Sequence, residues 1–318
     1  MDLETTCWGC GLRLLLPISS AVFKCGWCGA ISNHNHHRRQ ESACFSRWRS
    51  LRDRCFVSIV LLFMFFIICS GFWAIYPVIF YISFFCGVFH SMVTALLSLC
   101  TIIFFCLAAF RSPGAPASIL WGSHLVVGKG GLENYTFCVY CEKPKAPRAH
   151  HCRTCKMCVL DMDHHCPFIG NCVGAANHRH FVAFLTSVIV SCTYINLMAI
   201  YAGLRLWPPL EASEVIKQIF IALLSSALLL SARGLLLLYL FIASTSVAFG
   251  ISVLLWQQLY FIYKGKTYIN NLSSRDDVDH EGGCQNLVRF FSCPHLISRF
   301  FVRSNNVKSR EMTVSKLL

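Results

Sequence analysis

The sequence predicts an α-helical polytopic membrane protein with four transmembrane helices and a cytosolic two-zinc cysteine-rich domain between the second and the third. Three observations carry this. Of 318 residues, 55% are hydrophobic and only 14% charged, and the mean hydropathy is +0.55, a balance foreign to soluble domains. Apolar stretches of about the 20 residues that cross a bilayer occur at 56–76, 90–110, 181–204 and 235–262. Between the second and third of them, from Cys138 to Cys172, lie seven cysteines and four histidines. A closed zinc site takes four such ligands, so two ions are provided for.

The order of elements follows from these stretches. Residues 1–55 are polar, basic and rich in Cys, Trp and His, with no apolar run of signal-peptide length, so the first span is expected to act as its own insertion signal. Spans one and two occupy 56–110, the cysteine-rich domain 111–180, spans three and four 181–262, and a tail 263–318. A formal net charge of +13 can point to nucleic acid, but the 28 Lys and Arg residues follow the expected topology instead. Eight precede the first span, none lies at 77–89, eight fall at 111–179, three at 205–233 and nine from Lys264 onward. By the positive-inside tendency both termini and the Cys/His segment face the cytosol, and the two poorly charged connections face the lumen or exterior. The stretch 215–230 is also largely apolar despite Lys217; a fifth span there would send the basic tail to the wrong side. Outside the tail, thirteen of the 20 cysteines lie in segments assigned to the reducing cytosol, six before the first span and seven in the cluster, which favours metal or thiol chemistry over disulfides.

Within the cluster, Cys138 and Cys141, Cys152 and Cys155, and Cys155 and Cys158 are C-x2-C pairs. That spacing lets two sulfurs reach one ion from a tight turn. Two Cys3His sites use six cysteines and two histidines, leaving one cysteine and two histidines over. A free cysteine beside a histidine and an aspartate has the makings of an activated nucleophile. Counting alone does not say which ligands belong together.

The pattern C-x2-C-x9-H-C-x2-C-x2-C-x4-D-H-H-C-x5-C resembles the cysteine-rich domain of the DHHC protein S-acyltransferases, the palmitoyltransferase family, over about 137–181. The resemblance includes Lys145, Pro147, Arg148, Pro167, Asn171, Val173, Gly174 and Asn177. It implies Cys138, Cys141, His151 and Cys158 around one zinc and Cys152, Cys155, His165 and Cys172 around the other. It places the catalytic triad on Asp163, His164 and Cys166, and leaves His150 without a role. It further implies two-step acyl transfer from a long-chain acyl-CoA such as palmitoyl-CoA, through Cys166, to cysteine thiols of membrane-associated substrate proteins. A cavity for the fatty chain between the spans and a location in the endomembrane system follow, and nucleic acid is not expected as a partner. The chain departs from the family pattern at Phe168, where Trp is common, and at Gly170. It also carries Ser112, Pro113 and Gly114 where Asp-Pro-Gly is frequent, and Thr267, Tyr268, Ile269 and Asn270 where Thr-Thr-x-Glu is expected. Asn286, Phe290 and Phe291 are similar to the family's C-terminal Asn and aromatic element.

Arg148, Arg153 and Lys156 are candidates to meet the phosphates of coenzyme A. At the N-terminus, Cys7, Cys10, Cys25 and Cys28 form C-x2-C-x14-C-x2-C, near zinc-ribbon spacing. The segment is similar to the small LSD-type zinc finger of plant proteins. It is read as a third zinc site or as a set of cysteines that are themselves acylated. His34, His36, His37, Arg38 and Arg39 read as a solvated basic linker, with contact to anionic lipid as the alternative. The membrane cysteines Cys69, Cys86, Cys100, Cys106 and Cys192 read as packing residues. Ser187, Ser191, Thr193 and Asn196 are suited to helix–helix approach or hydrogen bonding. The rival to an enzyme is a zinc-organised membrane adaptor or ubiquitin-ligase-like scaffold, which has no use for the surplus Asp163, His164 and Cys166.

Overall fold

In a computed structural model of the chain, residues 2–17, 22–33, 43–116, 122–206, 232–272 and 283–292 are described. The stretch 215–230 and the linker from His34 to Arg39 lie outside them. Two compact units, Met1–Leu254 and Leu255–Leu318, divide the chain.

Among the described residues, four helices are long and apolar enough to cross a membrane: α1 (Ala43–Ile82), α2 (Phe84–Phe110), α3 (His178–Leu206) and α4 (Ala232–Tyr263). Each runs past the stretch read from hydropathy. The largest difference is at α1, which begins 13 residues earlier, at Ala43 rather than Phe56, because Arg, Trp and Ser are acceptable helix formers outside the bilayer. It also continues through Pro77 to Ile82. Proline removes one backbone donor, a loss that neighbouring helices can compensate in a membrane. Ser83 alone separates α1 from α2; it is extended and its hydroxyl accepts weakly from Cys86 N at 3.5 Å. The two helices therefore turn back on each other within one residue, where the sequence suggested a connection of 13.

Small residues and buried polar pairs hold the bundle. Ala74, Ile75 and Ile79 of α1 meet Met198, Ala199 and Ala202 of α3 and Leu237 and Leu240 of α4 in one core. Tyr76 Oη donates to His90 O at 2.8 Å and contacts Thr94. Tyr194 joins His90 Nδ1 at 2.8 Å. In lipid, such bonds and close packing replace a hydrophobic drive between helices. Of the four polar residues singled out in the third span, Ser191 reaches Thr101 at 3.1 Å and Asn196 bonds Ser244. Ser187 and Thr193 instead bond their own helix, at Phe184 O and Ile189 O.

Between α2 and α3 the chain forms three successive hairpins. They are β5 (Thr136–Cys138) with β6 (Lys143–Lys145), β7 (His150–Cys152) with β8 (Met157–Val159), and β9 (His164–Cys166) with β10 (Asn171–Val173). Ahead of α1, β1 (Asp2–Thr6) pairs with β2 (Arg13–Pro17), and β3 (Val22–Lys24) with β4 (Ile31–Asn33). Strand β4 lies parallel to β5, with Ile31 opposite Thr136, so the order of the largest sheet is β3-β4-β5-β6. The N-terminal segment thus shares a sheet with the cysteine-rich region. Trp8 fastens this junction: its indole N–H donates to Ile31 O at 3.1 Å and its ring lies 5.5 Å from Phe137.

Two asparagines join the cysteine-rich region to the membrane helices. The last carbonyls of α2 have no intrahelical partner. Asn177, fully buried, donates to Ala108 O at 3.0 Å and Cys172 O at 2.8 Å and accepts from Gly174 N at 2.9 Å. Asn171 donates to Arg111 O at 2.8 Å and Ala108 O at 3.2 Å. In the second unit, α5 (Tyr268–Leu272) follows α4 and α6 (Cys284–Phe291) carries Asn286, which donates to Tyr263 O at 3.0 Å at the end of α4. Asn177→Ala leaves buried carbonyls without donors and is expected to destabilise the protein by at least about 2 kcal/mol, read as a lower thermal unfolding midpoint in detergent.

A candidate acyl-transfer site on two metal-ready knots

The hairpins bring the ligands together through strand geometry. Four C-x2-C pairs sit at turns, and the residue after the second cysteine of each takes a left-handed conformation: Gly11, Gly29, Glu142 and Lys156 have φ of 76°, 79°, 52° and 54°. Such a residue lets the chain fold back sharply after the pair. His151 stands opposite Cys158, and His165 opposite Cys172, so each hairpin of this kind supplies one imidazole and one sulfur side by side. Neighbouring residues of a strand point to opposite faces. His151 and Cys152 are neighbours on β7 and serve different clusters.

Three groups result, each with all ligand atoms within 4.8 Å of one another: Cys138, Cys141, His151 and Cys158; Cys152, Cys155, His165 and Cys172; and Cys7, Cys10, Cys25 and Cys28. The first two are the sets implied by the family resemblance. Zn–S bonds of about 2.3 Å in a tetrahedron place sulfurs roughly 3.8 Å apart. The observed sulfur separations are 3.7 Å for Cys7–Cys28 and Cys10–Cys25, 3.8 Å for Cys141–Cys158 and 3.5 Å for Cys155–Cys172. His151 Nδ1 is 3.2–3.9 Å from its three sulfurs and His165 Nδ1 3.4–3.6 Å from its own. The residues fit zinc in all three places. With four protein ligands each, the ions would be structural and leave no open position for substrate.

The same alternation separates chemistry from metal on β9. His165 faces the second cluster, so His164 and Cys166, two residues apart, share the opposite face. His164 Nδ1 donates to Asp163 Oδ2 at 2.8 Å, and Asp163 is fully buried. This leaves Nε2 as the nitrogen able to take a proton. Burial opposes the charged imidazole, but hydrogen bonds with Asp163 and Cys166 outweigh it and push His164 up to about 9. Phe181 packs edge-on against the His164 ring at 5.5 Å. Cys166 is 8% exposed and lines an apolar cavity of about 400 Å³ walled by α1, α2, α3 and α4, within the size range of small-molecule sites. Phe168 and Ile169 line it beside Cys166, with Phe63, Phe105 and Val247 among the wall residues.

The other candidates are placed less suggestively. Arg148 pairs with Asp161 at 2.7 Å, and Arg153 lies over the Tyr140 ring at 6.0 Å. Lys156 occupies a left-handed turn position. All three are exposed. His150 is half-buried on β7, opposite Val159. Cys284 is exposed, and of the membrane cysteines Cys69 and Cys86 are exposed while Cys100, Cys106 and Cys192 are half-buried. Asp53 was not singled out in the sequence, yet it is 5% exposed and bonds His165 Nε2 at 2.9 Å. Its one sequence signal is that it is the only acid among Arg47, Arg49, Arg52 and Arg54.

Purified protein is expected to carry three zinc ions per chain by elemental analysis, and Cys10→Ser with Cys28→Ser to carry two. Cys166→Ser is expected to keep all three.

Comparison with known proteins finds similarity to palmitoyltransferases. The chain is 37% identical over 119 residues to the palmitoyltransferase pfa3 of Aspergillus fumigatus, covering 33% of this chain and 22% of that one. It is 42% identical over 71 residues to the human palmitoyltransferase ZDHHC15, covering 22% and 21%. It is 32% identical over 194 residues to the probable protein S-acyltransferase 16 of Arabidopsis thaliana, covering 58% and 61%. The chain thus spans about a fifth of the length of the fungal and human relatives. Residues 132–275 match the family model described as DHHC palmitoyltransferase, and the matched stretch holds both knots, Asp163, His164 and Cys166.

Proposed function

We propose that the protein is a protein S-acyltransferase that moves a long-chain acyl group from acyl-CoA to cysteine thiols of membrane-associated proteins. The observation that carries this is Cys166. Of the seven cysteines between Cys138 and Cys172 it alone belongs to neither metal-ready group, it contacts His164, and it lines the apolar cavity.

In the first step His164 Nε2 takes the proton of the Cys166 thiol, since the thiolate is the nucleophile. Sγ attacks the acyl-CoA carbonyl, the carbon–sulfur bond to coenzyme A breaks, and the leaving thiolate receives the proton back from His164. In the second step a substrate cysteine thiolate attacks the thioester on Cys166, and the Cys166 sulfur leaves. Asp163 keeps the proton on Nδ1 and favours the charged ring, as an aspartate does in a serine-type triad. The acyl chain lies in the cavity, which excludes water from the thioester. Arg148, Arg153 and Lys156 are the cations offered to the phosphates of coenzyme A. The distribution of basic residues supports a chain with both termini and the DHHC domain in the cytosol, in a membrane of the endomembrane system.

Purified protein given a labelled acyl-CoA is expected to take up label that hydroxylamine releases, and Cys166→Ser to take up none while keeping its zinc. His164→Ala is expected to slow labelling by about a hundred- to ten-thousand-fold. Labelling that persists in Cys166→Ser ends this reading and leaves the zinc-organised adaptor in its place.

A further inference from the structure

The cytosolic end of α1 reaches the strand that carries the nucleophile. His165 directs Nδ1 at the sulfurs of Cys152, Cys155 and Cys172, at 3.4–3.6 Å. Its other nitrogen, Nε2, donates to Asp53 Oδ2 at 2.9 Å. The second carboxylate oxygen of Asp53 accepts from Arg52, at 2.8 Å from Nη2 and 3.0 Å from Nε. Asp53 is 5% exposed, and an acid so deeply buried is costly unless both oxygens are engaged. The same face of α1 meets the loop after Cys166 twice more. Phe56 packs on Phe168 with ring centres 5.1 Å apart. Gly170, in a left-handed turn, comes so near that an added Cβ would lie 2.9 Å from Val57.

From these contacts we infer that Asp53 is a positioning residue: it fixes the tautomer and ring plane of His165, and through the knot it sets where β9 presents Cys166 to the cavity. His165 lies between His164 and Cys166 in the chain, so a displacement of its backbone moves both neighbours. A carboxylate on the free N–H of a metal-bound histidine holds the ring and strengthens its bond to the ion. The charge on Asp53 makes that bond stronger than a neutral one. The side chain that orders the site therefore comes from the first membrane helix, more than 100 residues away in sequence.

The effect on catalysis rests on the acyl-transfer reading, whereas the effect on zinc does not. Asp53→Ala is expected to release one zinc equivalent to a chelator about ten- to a hundredfold faster than wild type. At matched zinc content it should form acyl-enzyme more slowly at saturating acyl-CoA, with KM unchanged. Asp53→Asn keeps an acceptor without the charge and should fall between the two. Zinc release at the wild-type rate in Asp53→Ala overturns the inference, as does a KM that rises in proportion to the loss of rate. If Asp53→Ala does not fold, wild-type zinc release in Asp53→Asn overturns it. Wild-type protein that takes up no acyl label defeats the acyl-transfer reading alone, because the zinc-release comparison stands without it.

Discussion

The tetrahedral demand of four ligands around one small ion governs the cysteine-rich region. A run of three-residue strands buries too little apolar surface to hold itself together, since a two-stranded hairpin is marginal in water. Metal coordination would supply stability of a different order, because the unfolded chain has no preformed site and the binding free energy is therefore folding free energy. The hairpin β7–β8 gives His151 and Cys158 to one cluster and Cys152 and Cys155 to the other, so neither knot can loosen alone. The rest of the structure outside the membrane helices is built outward from this shared hairpin.

The consequence for chemistry is that rigidity sits one residue from Cys166, the proposed nucleophile. On β9 the period of two sends His165 to the metal side and His164 with Cys166 to the other. A catalytic group needs its supporting shell locked to within fractions of an ångström, and here the lock is the backbone of the same strand. The asparagines at 171 and 177 extend it to the membrane by donating to carbonyls at the end of α2. The cavity wall and the thiol are therefore held in one frame.

The N-terminal cysteines extend the same principle to a region outside the matched DHHC domain. Leu132 N donates to Cys28 O at 2.8 Å and Ile31 N to Tyr135 O at 2.7 Å, so the backbone leading into the first knot is ordered by the ribbon. Lys24 pairs with Glu133 and its neighbour Asn134. These exposed groups add little stability by themselves; the buried sulfur cluster and Leu132 carry the junction.

The four spans found among the described residues, their approximate positions and the surplus of one cysteine with Asp and His beside it were legible in the sequence, because length of apolar run and ligand count are local properties. Helix ends were less so: the stop read at Tyr76 and the start read at Phe56 ignored that a helix can continue through a membrane proline and beyond the bilayer. Spacing alone left the ligand pairing open, since three overlapping C-x2-C pairs permit several assignments. Only folding makes β7 and β9 strands and thereby sorts adjacent residues onto opposite faces. Nor did the sequence reveal the parallel pairing of β4 with β5, or Asp53 on His165, because both join residues more than 100 positions apart. What the sequence by itself determined was the chemistry available, in residue types and local spacing. What tertiary structure decided was which of those groups meet, because burial and coordination act between segments that no local pattern connects.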